Sequence, residues 1–295
     1  MLWTIKSVLQ WMQQFFTGKG IPNSRVDAEL LLAEVLHCNR IKLYIDQDRP
    51  LSKDELGALH NLVARRAGRE PMAYILGSKG FMQDEFQVTP AVLIPRPETE
   101  LLVEHVAKLA GQGSVRILDI GTGSGAIALS LARLLPQAAI TAADVSLDAL
   151  EIARKNSVNF GLDGRVEFLV SDVYGSLAGR EFDIIVSNPP YIPTGDLTGL
   201  QPEVQQEPSI ALDGGADGLD FYRRIIGGAA NFLTSGGLLA FEIGSGQGAQ
   251  VAELCRVQGF GATRIVKDYS GLERMVFGAA EGGDFGDKIL AAEQW

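Results

Sequence analysis

The residues most suited to chemistry are Asn188, Pro189, Pro190 and Tyr191, which directly follow the apolar run FDIIVS. Each proline fixes its own φ and restricts the residue before it, so Asn188 and Pro189 are held extended. The side-chain oxygen of Asn188 and the carbonyl of Pro189 then form a pair of acceptors matched to the two N–H bonds of one planar NH₂ group. Such a pair suits alkylation of an amide or amino nitrogen. The lone pair of an amide is delocalised, and two fixed acceptors both aim it and favour the positive charge that develops on nitrogen. Tyr191 offers a ring to pack on the planar group. No base of unusual pKa is required, because the alkylated nitrogen is acidic and its proton can leave to solvent. These four residues are the candidate catalytic and substrate-binding set. Prolines that merely end a strand are the structural alternative.

A second group lies upstream. The segment ILDIGTGSG, residues 117–125, reads as a buried strand entering a glycine-rich turn, with Gly121, Gly123 and Gly125 allowing close approach of a ligand. With Ala126 it also fits the relaxed dinucleotide pattern G-x-G-x-x-A, and Asp144 stands at the spacing of a ribose-binding acid, so NAD or FAD is a competing ligand. The acids favour S-adenosyl-L-methionine, converted to S-adenosyl-L-homocysteine, since that molecule has a diol, an adenine amino group and an ammonium but no pyrophosphate. Asp144 is expected on the ribose hydroxyls, Asp172 beside the adenine amino group and Val173 along the ring. Asp119 is expected near the ammonium, directly or through water. An oxidoreductase would leave Asn188–Tyr191 without a purpose. Acids that only cap the following helices are the bland reading.

These residues need a scaffold that gathers strand ends. From Pro95 onward short apolar strands (VRILDI, AAITAAD, RVEFLVSD, FDIIVSN, GLLAFEIG) alternate with helical segments, predicting an α/β domain built on a mainly parallel sheet. TRIVKD and ERMVFG are joined only by YSGL, too short for a crossover helix, so one reversed strand is expected at the sheet edge. Residues 1–76 read as a helical domain. Ser24 is expected to open one helix and Ser52, with Glu55 three residues on, another through a capping box. Residues 77–94 look like a β-hairpin linker, 95–278 the catalytic domain and 279–295 a polar tail with room for one terminal helical turn. His105 falls on an amphipathic helix and reads as structural.

Composition bounds the partners. The 295-residue chain is 46% hydrophobic with a formal net charge of −10; residues 1–75 carry 10 Lys/Arg against 8 Asp/Glu, the remainder 16 against 28. An acidic catalytic half argues against a nucleic-acid substrate. Arg65, Arg66 and Arg69, at a helix end, are expected to complement the macrodipole rather than touch RNA. Cys38 and Cys255 form no metal or disulfide pattern and read as apolar packing. No long apolar span or signal peptide is seen, so no membrane association and a cytoplasmic protein are expected.

Further motifs extend the pattern: IPRPETE at 94–100, EP–SIAL–GG–DGL from Glu207 to Leu219, FEIG at 241–244 with Gln247 following, and KDYSGLER at 267–274. With DIGTGSG and SNPPYI, the chain up to about residue 278 resembles the HemK or PrmC family of protein-(glutamine-N5) methyltransferases. The resemblance implies a class I S-adenosylmethionine-dependent methyltransferase fold, Rossmann-like, with a seven-stranded sheet containing one antiparallel strand. It implies methylation of the glutamine in the Gly-Gly-Gln motif of class I peptide chain release factors, with docking by the N-terminal helical domain and action as a monomer. The cofactor set becomes Asp119, Gly121, Thr122, Gly123, Ser124, Gly125, Asp144, Asp172, Val173 and Asn188, and the glutamine site Asn188–Tyr191. Relatives often carry a larger apolar residue where Val173 stands. Because NPPY is shared with nucleic-acid enzymes, an adenine-N6 or guanine-N2 methyltransferase is the alternative. Arg96 and Glu98 either close over the bound molecules or start a helix, and Glu203 and Glu207 are candidates for shaping the substrate entrance.

Overall fold

A computed structural model describes residues 3–291, so the last part of the expected tail and the first two residues lie outside the described residues. The chain forms two compact units, one running up to Gly77 and including Gln201–Gln206, the other comprising Ser78–Leu200 and the chain from Glu207 onward.

The first unit holds helices α1 (Ile5–Gly18), α2 (Ser24–Val35), α3 (Arg40–Ile45), α4 (Lys53–Ala67) and α5 (Met72–Leu76). Helix α1 starts at a capping box between Thr4 and Ser7 and buries Ile5, Val8, Met12 and Phe16 along one face. These pack with Leu31 and Leu32 of α2 and Leu59 and Val63 of α4. Ser52 and Glu55 make the expected box at the start of α4. Ser24 does not cap α2. It is the first helical residue, Asn23 takes the cap position without a side-chain bond, and the Ser24 hydroxyl instead meets that of Thr17 at 2.9 Å.

The arginine cluster also differs from expectation. Arg65 and Arg66 do stand in the last turn of α4, Arg65 pairing with Glu70 at 2.6 Å and donating to the Tyr74 carbonyl, but Arg66 and Arg69 also serve a further purpose. Arg66 is buried, with Nε 2.7 Å from Asp27 of α2 and Nη1 2.9 Å from Glu203. Arg69 reaches the other oxygen of Glu203 at 2.8 Å and the Gly20 carbonyl at 2.8 Å. Burial raises the Glu203 carboxyl, but the two arginines outweigh it and hold it below the usual carboxylate range. Glu203 therefore anchors residues 201–206 into the helical unit.

In the second unit a hairpin, β1 (Ser78–Phe81) and β2 (Asp84–Gln87), precedes α6 (Pro97–Ala110). The hairpin is built into this unit: Phe81 and Phe86 join its core, Asp84 pairs with Arg133, and Glu100 accepts the Met82 N–H at 2.7 Å. There follow β3 (Arg116–Ile120), α7 (Ala126–Leu134), β4 (Ala139–Asp144), α8 (Leu147–Asn159), β5 (Val166–Val170), β6 (Phe182–Ser187), α9 (Asp220–Ala229), β7 (Leu233–Glu242), α10 (Gly248–Val257), β8 (Ala262–Lys267), β9 (Glu273–Ala279) and α11 (Phe285–Ala291). The sheet order is β5-β4-β3-β6-β7-β9-β8, with β9 antiparallel to both neighbours and the β5-β4-β3-β6-β7 pairs parallel.

Alternate side chains serve opposite faces. Ile184 and Val186 of β6 pack with α6 and α7, whereas Ile185 packs with α9 and α10. Burial on both faces explains why these strands read as unbroken apolar runs. The reversed strand is not at the edge, as the sequence suggested. Met275, Val276 and Phe277 of β9 are fully buried and need a neighbour on each side, so β8, mostly half-buried, takes the edge. The expected polar tail is likewise corrected, because Phe285 and Ile289 of α11 enter the core. Cys255 is buried and Cys38 half-buried, both as free thiols. His105 is buried edge-on to Phe277, and burial pushes it down to about 4, so it is a neutral core residue. Among the described residues no helix is long and apolar enough to cross a membrane.

Candidate active site

The carboxyl ends of β3, β4, β5 and β6 open onto a cleft of about 330 Å³ in the second unit, where an open α/β sheet binds ligands. Gly121, Gly123, Asp144, Asp172, Val173 and Asn188 line it, together with Pro189 and Pro190. The glycine turn leaves β3 with Gly121, Gly123 and Gly125 at φ of 74°, 55° and 84°, a run that side chains would strain. Asp144 locks the turn: one oxygen accepts the Gly123 N–H at 2.9 Å and the other the Ser146 N–H at 2.9 Å. Burial raises the Asp144 carboxyl despite these bonds.

Four members of the expected cofactor set do not line the cleft. Asp119 lies fully buried behind the turn, with Oδ2 accepting from the Thr122 hydroxyl at 2.6 Å and the Ala128 N–H at 3.2 Å. Its Oδ1 has no hydrogen-bond partner among the described residues, and burial pushes the carboxyl up to about 7. The Ser124 carbonyl accepts from Asn156, and Gly125 is the N-cap of α7. Thr122, Ser124 and Gly125 thus shape the loop from behind. On the far wall, Asp172 is paired with Arg224 of α9 at 2.6 Å, a partner that nothing in the sequence signalled. Val173 adopts φ of 52°, a strained geometry for a β-branched residue, held by the Ser171 hydroxyl donating to its carbonyl at 2.9 Å.

The Asn188–Tyr191 turn is clamped from several sides. Ser187 donates to the Ile120 carbonyl at 2.7 Å, tying β6 to β3. Gln247, after the FEIG strand, donates to the Tyr191 carbonyl at 3.0 Å while accepting from the Gly244 N–H at 2.9 Å. Gly218 passes so close that a Cβ would sit 2.3 Å from the Tyr191 carbonyl. Tyr191 does not line the cleft; its ring packs against the core of α9 and α10, and burial pushes its phenol up to about 12. The Asn188 amide donates to the Thr99 hydroxyl at 3.2 Å, and Thr99 donates to Glu242 at the end of β7. Both partners sit inside quoted motifs, IPRPETE and FEIG, although no role for either could be read from spacing.

Arg96 and Glu98 resolve toward the helix start. Pro97 occupies the first turn of α6 with Glu98 beside it, and Arg96 pairs with buried Glu207 at 2.6 Å. Glu207 also accepts the Ile94 N–H at 3.0 Å, so it braces this turn. Glu203 stands apart in the helical unit.

Residues 7–77 match the family described as PrmC N-terminal domain and residues 97–200 that described as Methyltransferase small domain. The release factor glutamine methyltransferase of Geobacter sulfurreducens is 45% identical over 278 residues, spanning 94% of this chain and 97% of its own. That of Moorella thermoacetica is 43% identical over 92% of this chain and 96% of its own. The chain belongs to the release factor glutamine methyltransferase family. The family's catalytic unit has the class I methyltransferase fold. A solved hMettl16 catalytic domain in complex with an RNA hairpin superimposes with a TM-score of 0.57 at 19% identity, covering 76% of this chain and 83% of that one. A T. thermophilus 16S rRNA N2 G1207 methyltransferase in complex with AdoMet and guanosine gives 0.51 at 24%, covering 69% and 50%. At these identities the likeness concerns the fold alone.

Proposed function

We propose that this enzyme, a monomer in the cytoplasm, transfers a methyl group from S-adenosyl-L-methionine to the side-chain nitrogen of the Gly-Gly-Gln glutamine of class I peptide chain release factors, with the first unit docking the protein substrate. The observation that carries the reading is the convergence of Asn188 and the glycine–acid loop on one cleft. Asp144 keeps lone pairs for a ribose diol, and the orphaned Asp119 Oδ1 would be satisfied by an ammonium through a bridging water. Among the described residues Arg224 is the only guanidinium lining the cleft, and its pairing with Asp172 disfavours a pyrophosphate. When bound, S-adenosylmethionine supplies an electrophilic methyl carbon. Asn188 Oδ1 and the Pro189 carbonyl hold the two N–H bonds of the glutamine, so its lone pair is aimed as the N–C bond forms. The C–S electron pair returns to sulfur, and the nitrogen then releases a proton to solvent.

The test is labelled S-adenosylmethionine offered with intact release factor, its Gln→Glu form, DNA and RNA. Label in the first alone is expected, whereas label in either nucleic acid and none in the release factor would overturn the reading. Asp144→Ala should weaken cofactor binding by about 1.5–3 kcal/mol, the worth of a hydrogen bond to a charged group. Titration calorimetry checks this, and unchanged affinity would remove Asp144 from the site.

A further inference from the structure

The chain Asn188–Thr99–Glu242 joins three elements through two buried side chains. Thr99 comes from the first turn of α6 and Glu242 from the end of β7, and both are buried where they meet the residue that follows β6. An asparagine amide can be turned either way with little change in shape, so its usefulness as an acceptor depends on what faces its other end. An ionised carboxylate only accepts. The single hydroxyl proton of Thr99 must therefore go to Glu242, which leaves only lone pairs facing Asn188. The Asn188 amide answers with Nδ2, as its 3.2 Å bond to Thr99 shows. We infer that Thr99 and Glu242 are positioning residues that fix the Asn188 amide with its oxygen toward the substrate, and thereby make the site select an amide over a carboxylate.

The opposite orientation would set NH₂ against the NH₂ of glutamine and would welcome the oxygen of a glutamate. The polarity holds where Glu242 is ionised, and its surroundings set the pH at which that happens. Burial pushes its carboxyl up to about 7 against the opposing bonds from Thr99 and Asn188. Glu98 of α6 adds to the rise, while Arg274 of β9 opposes it. Tyr191 and Tyr222 complete the titratable surroundings, and the Tyr222 hydroxyl donates to the Glu242 backbone carbonyl at 2.8 Å. Above that pH the group is acceptor-only. The two motifs thereby gain a physical purpose: IPRPETE supplies the threonine from α6, which packs on β7, and FEIG the carboxylate, which the β6·β7 pairing brings beside the turn.

The inference rests on the glutamine reading above, and its test keeps the two apart. Full-length wild type, Thr99→Val, Thr99→Ser and Glu242→Gln are compared at pH 8.5, with intact release factor as substrate and its Gln→Glu form as competitive inhibitor. Absence of wild-type turnover would sink the glutamine reading itself. Given wild-type turnover, a glutamine at 242 can both donate and accept, so the competent fraction of Asn188, and kcat with it, should fall about tenfold. S-adenosylmethionine affinity should be unchanged, and the Gln→Glu release factor should inhibit the variant several-fold better than wild type. Thr99→Val should lower kcat similarly and Thr99→Ser should restore it. The inference is overturned if both Thr99→Val and Glu242→Gln keep kcat within about twofold of wild type, if the loss appears equally in cofactor affinity, or if inhibition by the Gln→Glu form is not improved.

Discussion

Asn188→Ala is expected to lower the single-turnover rate of methyl transfer to release factor by about a hundredfold to a thousandfold, the usual cost of removing one preorganised polar group at a site of developing charge. The loss belongs to the chemical step because the acceptor matters most when the glutamine nitrogen becomes positive. Alanine at 188 also removes the amide that meets the Thr99 hydroxyl. Cofactor affinity should fall less than in Asp144→Ala, since Asn188 is one of several lining residues whereas Asp144 both faces the cleft and holds Gly123. Rapid-quench measurement with enzyme in excess separates the steps. A variant with a near-normal single-turnover rate would remove Asn188 from the chemistry.

Arg66→Leu is expected to destabilise the helical unit by about 3–5 kcal/mol, because it strands the buried Asp27 carboxylate and leaves Glu203 with Arg69 alone. Asp27 is buried and Glu203 half-buried, so water cannot replace the guanidinium as it would at a surface pair. Trp3 and Trp11 stand in α1 or just before it, so their fluorescence follows this unit through a denaturant titration. The midpoint should shift strongly while cofactor binding by the second unit persists in mild conditions. Adding Asp27→Leu to Arg66→Leu should recover part of the loss, since a missing pair costs less than a broken one. A midpoint shift equivalent to under 1 kcal/mol would show that the arginine is solvated after all.

The architecture was readable to the extent that burial dictates pattern. Strands covered on both faces, such as FDIIVS, can only be apolar runs, and a capping box such as Ser52–Glu55 satisfies itself locally. Features set by distant partners were not readable. Arg66 looks like any helix-end arginine until Asp27, 39 residues away, and Glu203, 137 residues away, are folded beside it. The place of β9 within the sheet depends on which neighbours bury Met275–Phe277, which spacing along the chain does not encode. The cleft shows the same division. Gly121, Asp144, Asp172 and Asn188 lie at or just after strand ends that a parallel sheet must bring together, so sequence position places them. Arg224 opposite Asp172, and Thr99 with Glu242 behind Asn188, come from helix and strand placements that depend on the order β3-β6-β7.

The excursion of Gln201–Gln206 has an evolutionary and topological consequence. The chain passes from one unit to the other three times, after Gly77, after Leu200 and again before Glu207. The helical unit is therefore not a bead strung ahead of an enzyme, since one of its anchoring carboxylates, Glu203, is encoded only a dozen residues beyond the Asn188–Tyr191 turn. Grafting the first 77 residues onto another methyltransferase would transplant Arg66 and Arg69 without the Glu203 carboxylate they share. A gene split at residue 77 would instead yield two polypeptides, neither of which contains a whole copy of the helical unit. The segment that follows the reactive turn thus carries the acid for two arginines encoded more than a hundred residues earlier.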